Sequence, residues 1–355
     1  MSHPEQSLAA LVQELVRDSF AQSGPLELEQ AGLRGVVLAD LVEEPLVAVG
    51  NLALEFDPLA EFRRKQGGVG SSHLTLDEVL EWWRYRTRHE SRLSVPPAGR
   101  VKRVIVGAVM VPHSLRIVES ALTDFLTGIE WNYRSGFAGK LADAVTAGLA
   151  LRLFEAGEGA ALPMTDDNLP AVIEGALGQV ARRENGAGGF WSHKSWAFLT
   201  GAKPAAQGFG FQFGRHRAII AQREGRTVSG PLRTFVIFDD RRGPVEEEGL
   251  ALIDEARVAW LRELAEGRGP HEDRLCRWAE GCEACLEACP SGAVGISHRA
   301  MLKAGKGKPA AFPQTTCCSY RGGDQGVFEI YRRCACGRCF LACVARNQRK
   351  AAQAA

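Results

Sequence analysis

Apolar side chains recur at helical spacing from Leu8 to Phe20, which predicts an opening helix. Gly35 to Val42 and Leu46 to Leu54 read as short buried strands, separated by Glu43, Glu44 and Pro45. Thr75 and Glu78 form a capping box ahead of LDEVLEWWRYR, so a second helix is predicted from Thr75, with Trp82 and Trp83 as packing residues. VKRVIVGAVMV, Val101 to Val111, is rich in β-branched residues and stops at Pro112, which makes it the clearest strand before the cysteines. An Ala- and Leu-rich helix is predicted from Ala138 to Ala156. Another is predicted from about Leu169, with Asp166, Asp167 and Asn168 as cap candidates and Pro170 near its first turn. Strands followed by long helices imply an α/β layer.

The pattern changes between Asn185 and Asp240. NGAGGF leads through WSHKSWAFLTG into GFGFQFGRHRAII, where Gly208, Gly210 and Gly214 lie within seven residues. Glycines so placed let the backbone approach a large flat or anionic ligand, although a turn between strands uses the same residues. RAIIAQ and TVSGPLRTFVIFDD then flank Arg223 to Arg226 as a hairpin. The glycines precede a strand rather than a helix and lack the acidic residue of a dinucleotide site. GKGKP, with Lys306 and Lys308, does not make a P-loop. An amphipathic helix from Glu247 to Glu266 stops at Gly267 and Gly269. Three regions follow: 1–100, helical or α+β; 101–268, an α/β cofactor-binding core; and 269–355, a cysteine module.

Composition adds little until its distribution is considered. The 355 residues are 45% hydrophobic and 24% charged, ordinary for a soluble globular chain. No apolar run reaches the roughly 18 residues that span a bilayer. The opening segment has neither a basic n-region nor a twin-arginine pair, so a cytoplasmic location with no membrane partner is expected. The net charge of +1 hides an asymmetry, because from Arg274 onward 13 Lys and Arg face 5 Asp and Glu. That excess suits compensation of anionic metal clusters, or a docking face for an acidic electron donor or RNA.

All ten cysteines lie between Cys276 and Cys343. The first group is Cys276, Cys282, Cys285 and Cys289, with Pro290 after it. The second, CACGRCFLAC, supplies Cys334, Cys336, Cys339 and Cys343. Thiolates two residues apart, followed three residues on by a fourth Cys and Pro, form the bacterial ferredoxin pattern, whose fourth Cys ligates the neighbouring 4Fe–4S cluster. The rule assigns Cys276, Cys282, Cys285 and Cys343 to one cluster. Cys289, Cys336 and Cys339 go to the other, completed by Cys318 or Cys317, with Cys334 as third candidate. Two features depart from the pattern: five residues separate Cys276 from Cys282, and Val344 stands where Pro is usual. Paired thiolates also suit structural zinc, which is the main competing reading.

Taken in order, GFGFQFGRHRAII, TFVIFDD, CEACLEACPSGAV, the CSY of Cys318 to Tyr320, and CGRCFLACVARN resemble the epoxyqueuosine reductase family, whose relatives include the reductive dehalogenases. The likeness covers roughly Val101 to Asn347. It implies a nitroreductase-like α/β (α+β) core fused to a C-terminal bacterial ferredoxin-like module carrying two 4Fe–4S clusters that feed a base-off cobalamin. It also implies that Gly208, Gly210, Gly214, Arg215 and His216 contact that cofactor. The family's catalytic Asp sits in a D-x-x-P setting, but this chain has WSHKSW there, leaving His193 and Lys194 as candidate proton donors. The implied partners are a low-potential donor such as ferredoxin or flavodoxin and a small-molecule substrate, with tRNA as the alternative. The N-terminal half, including EEPLVAVGNLALEFDPLAEF, is more similar to an uncharacterised branch than to the tRNA-modifying enzymes. Two other functions compete: an electron-transfer or reductive-activator protein with no substrate chemistry, and a zinc-stabilised interaction module.

Overall fold

The computed structural model describes residues 7–54, 76–87, 95–118, 126–165, 193–201, 211–213, 219–223, 225–243, 249–265, 275–277, 280–289, 292, 294–295, 338–339 and 341–346. Helices are α1 (Leu8–Gln30), α2 (Leu38–Leu41), α3 (Leu76–Thr87), α4 (Leu126–Glu155), α5 (His193–Gly201), α6 (Glu255–Ala265) and α7 (Ala284–Glu287). Strands are β1 (Leu46–Leu52), β2 (Arg103–Met110), β3 (Ala160–Met164), β4 (Gln212–Phe213), β5 (Ile219–Arg223), β6 (Arg226–Val228), β7 (Leu232–Asp239) and β8 (Leu250–Ile253).

Five strands form a mixed sheet in the order β3-β7-β2-β1-β8, antiparallel except where β8 runs parallel to β1. Alternation along these strands sends successive side chains to opposite faces. Val104, Val106, Ala108, Met110, Val236 and Phe238 join one buried cluster with Trp196 and Leu199 of α5. Ile105, Val109, Phe235 and Ile237 join the other with Val12 and Val16 of α1 and Leu141 and Val145 of α4. The sheet is therefore covered on both faces, which explains why every residue of β1, β2 and β7 is buried. Gly107 has a local reason: the Phe235 ring occupies the space where its Cβ would stand. Because β1 pairs along its whole length with β2, residues on either side of position 100 share one sheet and one core.

The strand expected at 101–111 is β2. The expected hairpin forms only over β5–β6, with Arg223 opposite Arg226 and Gly225 at φ 77° in the turn; the rest of its expected second arm is β7, which pairs with β2 and β3 instead. Other boundaries differ. The opening helix continues through Gly24 and Pro25, because Gly24 packs against Leu38 where a Cβ would collide with that side chain. The strand expected at Gly35 to Val42 is instead α2, which buries Leu41, followed by a bridge from Val42 to His113. The helix expected from Ala138 starts earlier, at Leu126. The one expected from Glu247 begins at Glu255, since Leu250–Ile253 adds an edge strand to β1. The capping box at Thr75 and the helix expected from Leu169 lie outside the described residues.

Buried ion pairs tie the layers together. Arg103 lies opposite Asp239 in register and donates to its carboxylate at 2.8 Å, with Glu158 at 3.4 Å. Burial alone would raise the Asp239 carboxyl. The Arg241 and Arg242 backbone N–H groups and the Arg103 and Arg241 guanidiniums outweigh it and hold the group below its usual value. On β7, Arg233 makes a bidentate pair with Asp143 of α4, at 2.7 and 3.2 Å.

Candidate functional site

The cysteine module meets the body at β4 and β5. The Leu275 N–H donates to the Gln212 side-chain oxygen at 2.9 Å, which fixes the start of the first cysteine segment on β4. Leu275 and Cys343 are buried together with Ile220 of β5, and Cys276 packs against them. Downstream of Cys276 the chain turns tightly: the Glu280 and Cys282 N–H groups both return to the Arg277 carbonyl, and Gly281 takes φ 82°. That turn accommodates the five-residue gap between Cys276 and Cys282. Cys285 lies in α7 and is buried, while Cys289 follows the end of that helix.

The second segment is helical at 338–339 and 341–346. Cys339 and Cys343 are one turn apart and so share a face. Leu341, Val344 and Ala345 are buried in the α1–α4 core cluster, whereas Cys343 is buried against Ile220 and Leu275. This division accounts for Val344 in place of proline. Its side chain is 2% exposed and anchors the helix, which runs on to Arg346.

None of the six described cysteines, Cys276, Cys282, Cys285, Cys289, Cys339 and Cys343, is in a disulfide. Burial pushes the Cys343 thiol well above its ordinary value, and Cys276, Cys285, Cys282 and Cys339 push it the same way. The fold thus brings one residue of the second group within electrostatic reach of three from the first. Ionising them together in a partly buried place requires compensating positive charge, which a metal centre supplies. Among the described residues, no three His, Cys, Asp or Glu side chains are placed to hold a single ion. A tetrahedral zinc site would need its sulfurs about 3.8 Å apart, given Zn–S bonds of about 2.3 Å. Cys276, Cys282, Cys285 and Cys343 are the donor set that ferredoxin spacing would assign to one cluster. Cys317, Cys318, Cys334 and Cys336 lie outside the described residues.

In the body, His193 opens α5, which packs on β1, β2 and β7 and buries Trp196, Ala197, Phe198 and Leu199. The far end of α5 is held by Arg257 of α6, which donates to the Leu199 and Thr200 carbonyls at 2.5 and 3.2 Å. His193 Nδ1 is 2.9 Å from Thr234 Oγ1, and Thr234 is fully buried on β7. His193 Nε2 is buried and has no hydrogen-bond partner among the described residues. Such an orphan costs about 1–3 kcal/mol and calls for a reason. Burial, helped by the Arg233 charge, pushes the imidazole down to about 3. That environment favours the neutral imidazole near pH 7. The Lys194 side chain and Gly208, Gly210, Gly214, Arg215 and His216 lie outside the described part of the structure.

A hollow of about 480 Å3 lies elsewhere, lined by Glu43, Glu44, Ser114, Arg116, Arg223 and Arg226 among others. Its arginines are already engaged: Arg226 grips Glu43 at 2.6 and 2.8 Å, Arg223 donates to the Glu44 carbonyl at 2.9 Å, and Arg116 pairs with Asp40 at 2.9 Å. The Arg223 and Arg226 contacts tie the β5–β6 hairpin to the segment that precedes β1. Sequence reasoning missed these residues, and also Thr234 and Arg233, because their roles arise from partners distant in the chain. Among the described residues, no helix is long and apolar enough to cross a membrane. No protein-family model matches the chain, and no curated protein or solved structure matches it.

Proposed function

We propose that the chain is an iron–sulfur oxidoreductase of the epoxyqueuosine reductase and reductive dehalogenase type. It delivers electrons through two 4Fe–4S clusters to a corrinoid held by the body, for reduction of a small-molecule substrate. The observation that supports this reading is the packing of Cys276 against Cys343 beside Ile220 and Leu275, with Cys282, Cys285 and Cys339 also within electrostatic reach of Cys343. Cys276, Cys282, Cys285 and Cys343 hold the first cluster. Cys289 and Cys339, with Cys336 and Cys318, hold the second. When bound, the clusters supply a one-electron relay and the corrinoid a strongly reducing metal.

The chain's own residues do the rest. Leu275 and Ile220 keep water from one side of the thiols, and the Leu275–Gln212 bond seats the module on β4. The basic excess after Arg274 favours docking of an acidic, low-potential donor such as ferredoxin or flavodoxin. The test is elemental and sulfide analysis of protein purified without oxygen and then offered cobalamin. About eight iron and eight sulfide per chain are expected, with cobalt retained on gel filtration. Zinc in place of iron overturns the reading. Clusters without cobalt uptake would leave an electron-transfer protein.

A further inference from the structure

We propose that Cys276 and Cys343 form a reversible disulfide when the cysteines hold no metal, and that this bond locks the module against cluster assembly. The bond itself needs no cofactor; its role as a lock rests on the iron–sulfur reading above. Cys343 shares one buried cluster with Ile220 and Leu275, Cys276 packs against that cluster, and neither cysteine is in a disulfide. Of the four cysteines that act electrostatically on Cys343, Cys276 acts most strongly, which supports it as the pairing partner.

The body holds this pair together without help from a metal. On one side, the Leu275 N–H bond to Gln212 fixes the residue next to Cys276 on β4. On the other, Leu341, Val344 and Ala345 root the helix of Cys343 in the α1–α4 core. Folding has therefore already met the loop-closure cost that opposes so distant a pair in an unfolded chain. Cys276 is half-buried and Cys343 buried, so a small disulfide such as oxidised glutathione reaches Cys276 first. The Cys276 thiolate attacks it and releases one glutathione thiolate. The Cys343 thiolate then attacks the Cys276 sulfur of the mixed disulfide and releases the second. Two protein thiols are oxidised, one glutathione disulfide is reduced, and the two thiol protons end on glutathione. The bond removes two of the four donors assigned to the first cluster until a thiol reductant reopens it.

The test treats the metal-free, full-length chain with oxidised glutathione under argon, traps the remaining thiols with N-ethylmaleimide, and maps linked peptides by mass spectrometry. The expected first product joins the peptides of Cys276 and Cys343, and dithiothreitol reverses it. Spacing alone favours a local Cys282–Cys285 link, so the long-range pair is a consequence of the fold. Cobalt(II) ions, whose thiolate complexes absorb light, then count the available donors without sulfide, which would reopen the bond. The oxidised chain should bind about half as much as the reduced chain, because the second donor set is untouched. A Cys282–Cys285 link that forms first, with Cys276 and Cys343 still trapped by the maleimide, overturns the proposal. So does the absence of any link. Equal cobalt(II) binding by the two forms overturns the lock. A chain that forms the link but, once reduced, builds no cluster from iron and sulfide overturns the iron–sulfur reading and leaves the disulfide standing.

Discussion

Replacing Arg103 by Met keeps the aliphatic stem but removes the guanidinium between Asp239 and Glu158. Removing one partner of a buried ion pair costs about 3–5 kcal/mol, because the charge left behind is uncompensated. Here the cost should lie near the lower end. Asp239 keeps the Arg241 backbone N–H at 2.8 Å, and Glu158 keeps Arg242 at 2.9 and 3.0 Å. A loss of about 3 kcal/mol is therefore expected at pH 7. At about 2 °C per kcal/mol for a chain of this size, the melting temperature should fall by about 6 °C. Urea titrations followed by far-ultraviolet circular dichroism, at equal metal loading, give the free energies. The folded Asp239 carboxyl titrates below its unfolded value, so its stabilising contribution is complete above the ordinary carboxylate range and is lost as pH falls through the folded value. The gap between wild type and R103M should therefore close as pH falls below the ordinary carboxylate range. A difference below about 1 kcal/mol at pH 7, typical of a surface pair, would refute the reasoning, as would a gap independent of pH.

Other tests follow from the same structure. C343S should lose about half of the iron and sulfide while keeping the body folded, because Leu341, Val344 and Ala345 anchor that helix independently; iron analysis beside circular dichroism reads both. G107V should lose about 1–3 kcal/mol from collision with the Phe235 ring, and the F235L/G107V pair should recover part of it in a double-mutant cycle. Burial pushes both His113 and His193 down to about 3. The unfolded chain then takes up protons that the folded chain refuses below about pH 6.5, so stability should fall between pH 7 and 5; a urea midpoint constant over that interval would count against the buried, neutral state of both rings.

How much could be read from the sequence depended on how local each cause was. β2, β7 and the β5–β6 hairpin were legible because β-branched runs, Pro112 and Gly225 act within a few residues. β8 was not, since GLALID suits helical spacing as well as a strand, and only pairing with β1 decides it. α2 was misread for a similar reason: burial of Leu41 and the bridge from Val42 to His113 are tertiary contacts. Cysteine spacing assigns Cys276, Cys282, Cys285 and Cys343 to one cluster, and of these the fold packs Cys276 against Cys343. Histidine position drew attention to His193, but only the fold supplies Thr234 on one side of its ring and Arg233 nearby. The Gly208–His216 segment lies outside the described residues, and its role still rests on sequence alone.

The helix bearing Cys339 and Cys343 is rooted, through Leu341, Val344 and Ala345, among the same side chains that join α1 to α4. Cys339 and Cys343 are thus carried on a piece of the body's own interior, and grafting that helix onto another scaffold would mean transplanting part of that interior as well.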